Sequence, residues 1–327
     1  MNPHTVIRGT GSYLPEQVIS NQFLAKKLNI SESQIIKKTG VHERRWASEK
    51  EASSDLATIA SLKALKVAGI QGKELDIIVF SSTSPDMTFP SSAVLLQKNV
   101  GAGKIPAFDI QASCSGFVYA LTIADNHLKQ TGARFALVAS GEVKSKTLNL
   151  GDPGTAILFG DGGGAVVLAK TRKKEGFLSF HLHSDGRKHD FIQLPAGGSR
   201  LPSSPETLKK SLHSIQMKGL SVYRSAVLYF EQVIQEVLDE QGIKLSEIDL
   251  FVFHQANFRL LEKVMKNLKI PKEKVELTIQ QYGNTSSASI PITLDQAVSK
   301  KKIKKGDLLL LASFGGGVTW ASTLYRW

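Results

Sequence analysis

The chain's only cysteine, Cys114, lies between two serines in the segment FDIQASCSGFVYAL, after an apolar run and before a glycine. The residues after it have helical spacing, so we expect the thiol at a helix N-terminus, where unpaired N–H groups and the helix dipole stabilise negative charge. A thiol whose pKa is lowered there would be a nucleophile. The alternative is a small buried apolar residue, which is the more common role of a lone cysteine inside the cell.

Two further polar residues follow predicted strands or turns. His254 comes directly after an apolar run in FVFHQAN, and Asn284 lies in QYGNTSSASIP. A carboxamide can donate a hydrogen bond to a developing oxyanion without losing a proton, and an imidazole is the commonest proton donor or acceptor in catalysis. Taken singly, each has a structural alternative: a histidine at a strand end, and an asparagine in a turn or helix cap.

An internal repeat connects these residues. ELDIIVF at 74–80 returns as EIDLFVF at 247–253, which is 173 positions later. Residues 108–111 match 277–280, and residues 136–140 match 309–313. Three matches in the same order imply a duplicated unit of roughly 160 residues. Superposing the repeats pairs Ser81 with His254 and Cys114 with Gly283, so the sequence predicts that thiol, imidazole and carboxamide converge.

The matched pieces also indicate the fold class. Each is a short apolar run typical of a buried strand, and each is followed by an apolar stripe at helical spacing. We therefore predict an α/β protein of two similar halves, residues 1–172 and 173–327, with mainly parallel or mixed sheets covered by helices. Ligands in such sheets bind at the carboxyl ends of the strands. The helical stripes are Phe117, Leu121, Ala124 and Leu128; Leu261, Val264, Met265 and Leu268; and Ile290, Leu294, Ala297 and Val298.

Composition excludes several classes of protein. With 42% hydrophobic and 21% charged residues, the chain is an ordinary globular protein. It has no apolar run long enough for a signal peptide or a membrane span, so we expect a cytoplasmic protein without a membrane partner. One cysteine excludes an internal disulfide and a cysteine-rich zinc site, and we expect no metal.

The net charge of +12 is compatible with an acidic partner. The densest basic cluster, KKKIKK at 300–305, is predicted to be an exposed helix-to-strand connection. Because no nucleic-acid-binding motif accompanies the charge, we do not expect a nucleic-acid partner.

Two glycine clusters lead to different predictions. GDGGG at 160–164 lacks the Lys-Ser/Thr pair of a phosphate loop and precedes a strand, so a tight strand-to-strand turn is expected. FGGGVTW at 314–320 follows a repeat-matched strand, and its glycines would let the backbone approach a ligand and offer N–H donors.

Seven segments together closely resemble the β-ketoacyl-[acyl-carrier-protein] synthase III family of the thiolase superfamily. They are ASCSGFVYAL, GDPGTAILFGDGGGAVVL, LPAGGS, MKGLSVYRSAV, HQANFRLL, YGNTSSASIP and FGGGVTW, with KKTGVHERRWA in support. The resemblance covers essentially the whole chain in the right order. It implies a thiolase-like, internally duplicated fold in an α-β-α-β-α arrangement, which agrees with the repeat.

The resemblance implies a decarboxylating Claisen condensation that needs no cofactor. Cys114 would attack an acyl thioester, from acyl-coenzyme A or an acyl carrier protein, and the backbone N–H groups of Cys114 and Gly316 would hold the oxyanion. His254 and Asn284 would then hold the thioester oxygen of malonyl-acyl carrier protein while carbon dioxide leaves.

The resemblance also assigns binding residues. A homodimer is implied because Phe89 matches a residue that reaches the neighbouring subunit's acyl pocket, and we expect residues 177–205 to shape that pocket. The helix after His254 would present Arg259, Lys263 and Lys266 to an acidic acyl carrier protein; the alternative is a merely solvated face. The substrate-binding residues are Phe89, Phe159, Phe314, Asn257, Gly219 and Lys38.

The sequence departs from the family where some members sandwich the adenine of coenzyme A between a tryptophan and an arginine. The matching residues are Gln34 and Pro153, and Lys38 stands where an arginine is usual. Two pathways therefore stay open: initiation of fatty acid biosynthesis, or a specialised pathway that uses a non-acetyl or carrier-bound donor. A non-decarboxylating thiolase is disfavoured because it needs a second cysteine, and a papain-like hydrolase because its C-G-S-C-W signature is absent.

Overall fold

The computed structural model describes residues 4–173 and 175–327. Met1, Asn2 and Pro3, which belong to the segment searched for a signal peptide, and Lys174, which follows the predicted boundary between the halves, lie outside the described residues. Among the described residues, no helix combines the length and the apolar character that a membrane crossing requires.

The first half begins and ends with long strands. Its elements in chain order are β1 (His4–Tyr13), β2 (Gln17–Ser20), α1 (Asn21–Leu28), α2 (Glu32–Thr39), β3 (Glu43–Trp46), α3 (Ser53–Ala68), β4 (Ile77–Ser81), α4 (Ser92–Asn99), β5 (Ala107–Ile110), α5 (Gly116–Gln130), β6 (Phe135–Glu142) and β7 (Gly162–Thr171).

The second half repeats the long elements and adds short ones. In chain order they are β8 (Gly176–Ser184), β9 (Ile192–Gln193), α6 (Pro205–Lys209), β10 (Gln216–Met217), α7 (Gly219–Gln241), β11 (Leu250–Phe253), α8 (Phe258–Leu268), α9 (Ile279–Tyr282), α10 (Ser289–Ser299), β12 (Leu308–Gly315) and β13 (Thr319–Arg326). The division into units at residues 172 and 173 stays a prediction.

Two mixed sheets have equivalent strand orders. The first runs β1-β7-β6-β4-β5, and the second, in reverse, runs β8-β13-β12-β11. Pairs β4–β5, β4–β6 and β11–β12 are parallel, whereas the strands toward β1 and β8 pair antiparallel. The predicted duplication is confirmed. The sheets are mixed because β7 and β13 pair antiparallel with both of their neighbours.

Successive residues of each strand face opposite sides of the sheet, and helices cover both sides, so the two sheets and three helix layers form five layers. In β4, Ile77 and Val79 face a middle layer formed by α5 and α10, whereas Ile78 and Phe80 face α3 and α4. The second sheet packs one face on the same middle layer and the other on α7 and α8. The α-β-α-β-α arrangement is therefore confirmed, and the middle helices have their N-termini between the two sheets.

One repeat match was wrong. The repeat pairs residues 277–280 with strand residues 108–111, but α9 begins at Ile279, and the strand-like pairings that flank it are isolated bridges, Phe251 with Val275 and Phe159 with Asn284. The true equivalent of Cys114 is Ser287, because both occupy the second position of a 3₁₀ turn before α5 or α10. The offset of 173 then holds throughout.

The turn predicted at GDGGG was also wrong. Gly162, Gly163 and Gly164 belong to β7, which pairs with β1 and β6. They are small because helices press on both faces of the strand: a Cβ on Gly163 would lie 2.4 Å from the Leu56 carbonyl oxygen, and one on Gly164 would lie 2.7 Å from Pro291.

Candidate active site

The sequence-predicted catalytic residues line one cavity of about 560 Å³ between the two halves. Cys114 follows β5, His254 follows β11, and Asn284 follows α9. The cavity lies at the carboxyl ends of the parallel strands, where α/β sheets bind ligands. The structure therefore brings thiol, imidazole and carboxamide to one site.

The Cys114 thiol is held by a strained turn at the start of α5. Ser113 has a left-handed φ of 49°, which is unusual outside glycine, and opens the 3₁₀ turn Ser113–Ser115 that runs into Gly116. A Cβ on Gly116 would lie only 2.1 Å from the Ser81 hydroxyl, so the glycine lets the helix start directly against the end of β4. This close approach carries the thiol to the strand ends.

Burial determines the protonation state of that thiol. Cys114 is 7% exposed, and burial raises the pKa of its thiol, although a hydrogen bond with Ser286 and the charge of Lys144 act in the opposite direction. The Sγ atom lies 3.5 Å from the Ser286 hydroxyl oxygen. The direction of this shift is opposite to the lowered pKa that the helix N-terminus suggested, and it favours the protonated thiol.

His254 is fully buried at the end of β11. Its Nδ1 lies 2.6 Å from the hydroxyl oxygen of Ser289, which also accepts a hydrogen bond from the Gln255 backbone N–H. Burial lowers the pKa of His254 to about 3, so the imidazole is neutral at physiological pH. Because Ser289 engages Nδ1, the Nε2 atom is the ring nitrogen left for a ligand.

Two hydrogen bonds orient the Asn284 carboxamide. Its Nδ2 donates to the Ala256 carbonyl at 3.2 Å, and its Oδ1 accepts from the Ser286 backbone N–H at 2.8 Å. The backbone of Asn284 forms a parallel bridge with Phe159 from the other half. Since an amide nitrogen carries two protons, one donor stays available to the cavity.

The predicted oxyanion donors are adjacent. Cys114 and Gly316 both line the cavity, and a Cβ on neighbouring Gly315 would lie 2.6 Å from the Cys114 nitrogen. Within residues 4–173 and 175–327, neither the Cys114 nor the Gly316 backbone N–H has an acceptor. Two unpaired N–H groups beside a thiol are the arrangement that an oxyanion hole requires.

Four of the six predicted substrate residues line the cavity, namely Phe159, Phe314, Asn257 and Gly219. Two do not. Phe89 is 86% exposed, and Lys38 is exposed on α2, although its carbonyl accepts a hydrogen bond from Asn257. Lys38 is thus placed beside Asn257, which lines the cavity, whereas the described residues leave most of the Phe89 side chain uncovered.

The predicted basic face on α8 is present in part. Lys263 and Lys266 are exposed on this helix. Arg259 is engaged differently: its Nε donates to the Lys37 carbonyl at 2.9 Å, and its guanidinium lies 3.2 Å from the Glu262 carboxylate. Arg259 on α8 is therefore hydrogen-bonded to α2.

Sequence reasoning missed several lining residues. Ser286 touches the thiol, and the segment around β9 and β10, within and beyond the predicted 177–205, contributes Ile192, Leu194, Ile215 and Met217. The serines stood in the quoted GNTSSAS segment and could have been found as polar neighbours of Asn284. Lys144 and Thr83 carried no sequence signal beyond their positions after β6 and β4.

Comparisons with known proteins agree with this geometry. Residues 108–186 match the family model of 3-oxoacyl-[acyl-carrier-protein (ACP)] synthase III, and residues 238–327 match the model of its C-terminal part. A crystal structure of 3-oxoacyl-[acyl-carrier-protein] synthase III from Aquifex aeolicus superposes with a TM-score of 0.91 at 40% identity and covers 99% of this chain and 100% of that one.

The similarity to relatives in sequence extends over the full length of the chain. The β-ketoacyl-[acyl-carrier-protein] synthase III of Caldanaerobacter subterraneus is 44% identical over 321 residues, which is 98% of this chain and 97% of the relative. That of Clostridioides difficile is 43% identical over 327 residues, or 100% of this chain and 99% of the relative. With the Cys, His and Asn motifs in one cavity, the protein belongs to the β-ketoacyl-[acyl-carrier-protein] synthase III family of condensing acyltransferases.

Proposed function

We propose that this enzyme joins an acyl group, held as a thioester on Cys114, to malonyl-acyl carrier protein and releases carbon dioxide and a β-ketoacyl-acyl carrier protein. The reaction is the initiating condensation of fatty acid biosynthesis. The observation that carries the proposal is the convergence of the Cys114 thiol, the neutral His254 imidazole and the oriented Asn284 amide in one cavity.

In the first half-reaction, the Cys114 sulfur attacks the thioester carbon of the donor. The oxygen becomes an oxyanion, which the N–H groups of Cys114 and Gly316 hold. The carbon–sulfur bond of the donor then breaks, and the leaving thiol takes the proton that Cys114 gives up. Because burial raises the pKa of Cys114, this proton is lost during the reaction rather than before it.

In the second half-reaction, the bond between the malonyl carboxylate and its α-carbon breaks. The electron pair moves toward the thioester oxygen, where His254 Nε2–H and the free Asn284 Nδ2–H hold the enolate. The α-carbon attacks the acyl group, and Cys114 leaves with the electron pair of its carbon–sulfur bond and takes up a proton from water to regain its resting thiol form. His254 carries its proton on Nε2 when the Ser289 hydroxyl donates to Nδ1.

The proposed partner is an acyl carrier protein. Lys38 on α2 and Lys263 and Lys266 on α8 are exposed, and α8 also contributes Leu260 to the cavity lining, so these lysines suit an acidic protein that docks there. Gln34 is engaged in a capping box, since its Oε1 accepts from the Ser31 N–H at 2.9 Å, and Pro153 lies in an exposed loop. We therefore propose that a coenzyme A donor is bound through its pantetheine and phosphates, without adenine stacking.

We further propose a homodimer formed through β5. This strand is an edge of the first sheet, and Phe108 on it and Phe89 nearby are exposed apolar residues that a second copy would cover. Phe108→Asp is expected to convert a dimer to a monomer in sedimentation, whereas Leu228→Asp on the exposed face of α7 leaves the dimer. A cytoplasmic location and cofactor-free chemistry stay predictions.

The test separates the two half-reactions. The protein is incubated with acyl-coenzyme A alone, and the mass of the peptide that contains Cys114 is recorded; malonyl-acyl carrier protein is then added. We expect an acyl adduct on the wild type and none on Cys114→Ala. His254→Ala is expected to keep the adduct but to lose condensation by roughly a hundredfold or more.

Two results would contradict the proposal. The first is a wild-type protein that forms no adduct with any acyl thioester, whether the carrier is coenzyme A or an acyl carrier protein. The second is a Cys114→Ala variant that still forms the β-ketoacyl product.

A further inference from the structure

A buried ion pair lies in the wall of the reaction cavity. Lys144 is 5% exposed and lines the cavity, and Glu142 beneath it is fully buried. The Lys144 Nζ lies 3.0 Å from the Glu142 Oε2. A charged side chain in the wall of a cavity that receives an acyl chain needs an explanation, because removing a charge from water is costly.

The carboxylate is anchored from several directions. Its oxygens accept hydrogen bonds from the Ser84 hydroxyl at 2.6 Å and from the Ser287 hydroxyl at 2.8 Å. Burial alone would raise the pKa of Glu142, but Lys144 and these hydrogen bonds outweigh it and hold the pKa below its usual value. Glu142 is therefore ionised and fixes the position of the ammonium group.

The ammonium group has one donor to spare. Within the described residues, Lys144 Nζ donates to Glu142 and to the Thr83 hydroxyl oxygen. An ammonium carries three N–H donors. Since both Lys144 and Thr83 line the cavity, the third donor is available to water or to a ligand in it.

Lys144 lies on the buried side of the cavity. Thr83 and Lys144 follow the carboxyl ends of β4 and β6, and Cys114 follows the neighbouring β5. The more exposed part of the lining comes from α7 and from the residue that caps the start of α8: Gly219 is exposed, and Tyr223 and Asn257 are half-buried. A donor that enters past α7 and α8 places its carrier there and directs its acyl group beyond Cys114, toward Lys144.

We propose that Lys144 and Thr83 form a polar subsite that binds an oxygen atom on the acyl primer, so that the enzyme prefers hydroxyacyl or oxoacyl thioesters to plain hydrocarbon chains. The inference rests on the proposed function and names its substrate class. A hydrocarbon chain would strip water from the third N–H and leave it without a partner, whereas a hydroxyl or keto oxygen would accept from it.

A neutral oxygen fits better than a second carboxylate. Glu142 already neutralises Lys144, so a dicarboxylic acyl group would bring an uncompensated negative charge into a buried site beside another carboxylate. The preferred primer is therefore neutral and oxygenated.

The test compares length-matched coenzyme A thioesters as donors for Cys114. The pairs are butanoyl with 3-hydroxybutanoyl and pentanoyl with 4-oxopentanoyl, and succinyl is added as the carboxylate probe. Acylation rates are read by mass spectrometry. For the wild type we expect the oxygenated member of at least one pair to react about 10- to 100-fold faster, as a hydrogen bond to a charged donor implies.

The variants separate recognition from folding. Lys144→Met alone would leave Glu142 as an unpaired buried charge, so the informative variant is the double change Lys144→Met and Glu142→Gln. We expect it to react with both members of each pair at similar rates. Lys146→Met, an exposed lysine two positions further along the same segment, should keep the wild-type preference.

Each outcome is decisive. A wild-type ratio below about 2 in both pairs, a preference that persists in the double variant, or fastest acylation by succinyl-coenzyme A would overturn this inference and leave the proposed function intact. Absence of any adduct on Cys114, with the same acyl groups on an acyl carrier protein as well as on coenzyme A, would overturn the proposed function and the inference with it.

Discussion

Burial shifts the pKa values of the two titratable catalytic side chains in opposite directions, but both shifts favour the uncharged form. It raises the pKa of the Cys114 thiol and lowers that of the His254 imidazole, and both groups are therefore uncharged at rest. Cys114 and His254 therefore form no thiolate–imidazolium ion pair at rest. Negative charge then develops only beside the prepared donors.

This resting state predicts the pH dependence of thiol alkylation. Because Cys114 is the only cysteine, iodoacetamide incorporation reads it alone. With a raised pKa, the thiolate fraction and the alkylation rate should keep rising through pH 9, about tenfold per pH unit below the pKa. A rate that levels off below pH 8 would contradict a protonated resting thiol. Cys114→Ala supplies the background rate.

Ser289 is predicted to act as a positioning residue for His254. In Ser289→Ala the ring loses the partner of Nδ1, so condensation with malonyl-acyl carrier protein should slow about tenfold, as for the loss of one hydrogen bond. Acylation of Cys114, which does not use His254, should be unchanged. Ser289→Thr keeps the hydroxyl and should recover most of the rate. Equal losses in both half-reactions would show that Ser289 is only structural.

At the scale of secondary-structure elements, both halves have the same 3₁₀ turn before their middle-layer helix, but the residue in its second position has a different role in each half. A serine with left-handed φ, Ser113 or Ser286, opens a 3₁₀ turn that runs into a middle-layer helix. In the first half the next residue is the nucleophile Cys114, and in the second it is Ser287, which binds Glu142. Duplication thus supplied one reactive position and one that supports the cavity wall.

Small residues in β7 decide how closely the helices approach the first sheet. A Cβ on Gly163 would meet the backbone of Leu56 in α3 at 2.4 Å. Gly163→Ala is therefore expected to lower the free energy of unfolding by about 2 kcal/mol, as overpacking does. Gly103→Ala, where a Cβ meets open space, should change it by less than about 0.5 kcal/mol. Urea denaturation measures both, and equal effects would refute the packing argument.

At the scale of the whole molecule, the five layers place both middle helices with their N-termini at the cavity between the sheets. The same packing removes His254 from water, and this links the site to global stability. The unfolded chain binds a proton at His254 near pH 6.5, whereas the folded chain does so only at about pH 3. Stability from this group is full above pH 6.5 and is lost as the pH falls toward 3.

The expected loss is measurable. Between pH 7 and pH 5, His254 should lower the free energy of unfolding of the wild type by about 2 kcal/mol. His254→Asn lacks this contribution, so its unfolding free energy should fall by about 2 kcal/mol less over the same range. Parallel pH profiles of the two proteins, measured by urea denaturation at each pH, would refute a buried neutral imidazole.

Local patterns in the sequence were enough to predict most strands and helices, the duplication and the catalytic candidates. Alternating apolar residues report which faces are buried, and repeated segments place His254 and Cys114 at strand ends. These patterns misplaced residues 277–280 and the glycines of β7, because a short apolar run does not distinguish strand from helix and glycine serves both turns and close packing.

The protonation and the hydrogen-bond partners of those candidates depend on the three-dimensional packing of the chain. The direction of the Cys114 pKa shift depends on burial by distant segments, and the partners of His254 and Asn284 depend on contacts across the fold. The position of Lys144 in the cavity wall likewise follows from three strands that end together. Burial and hydrogen bonding arise between residues that are far apart in the chain, so local patterns do not encode them.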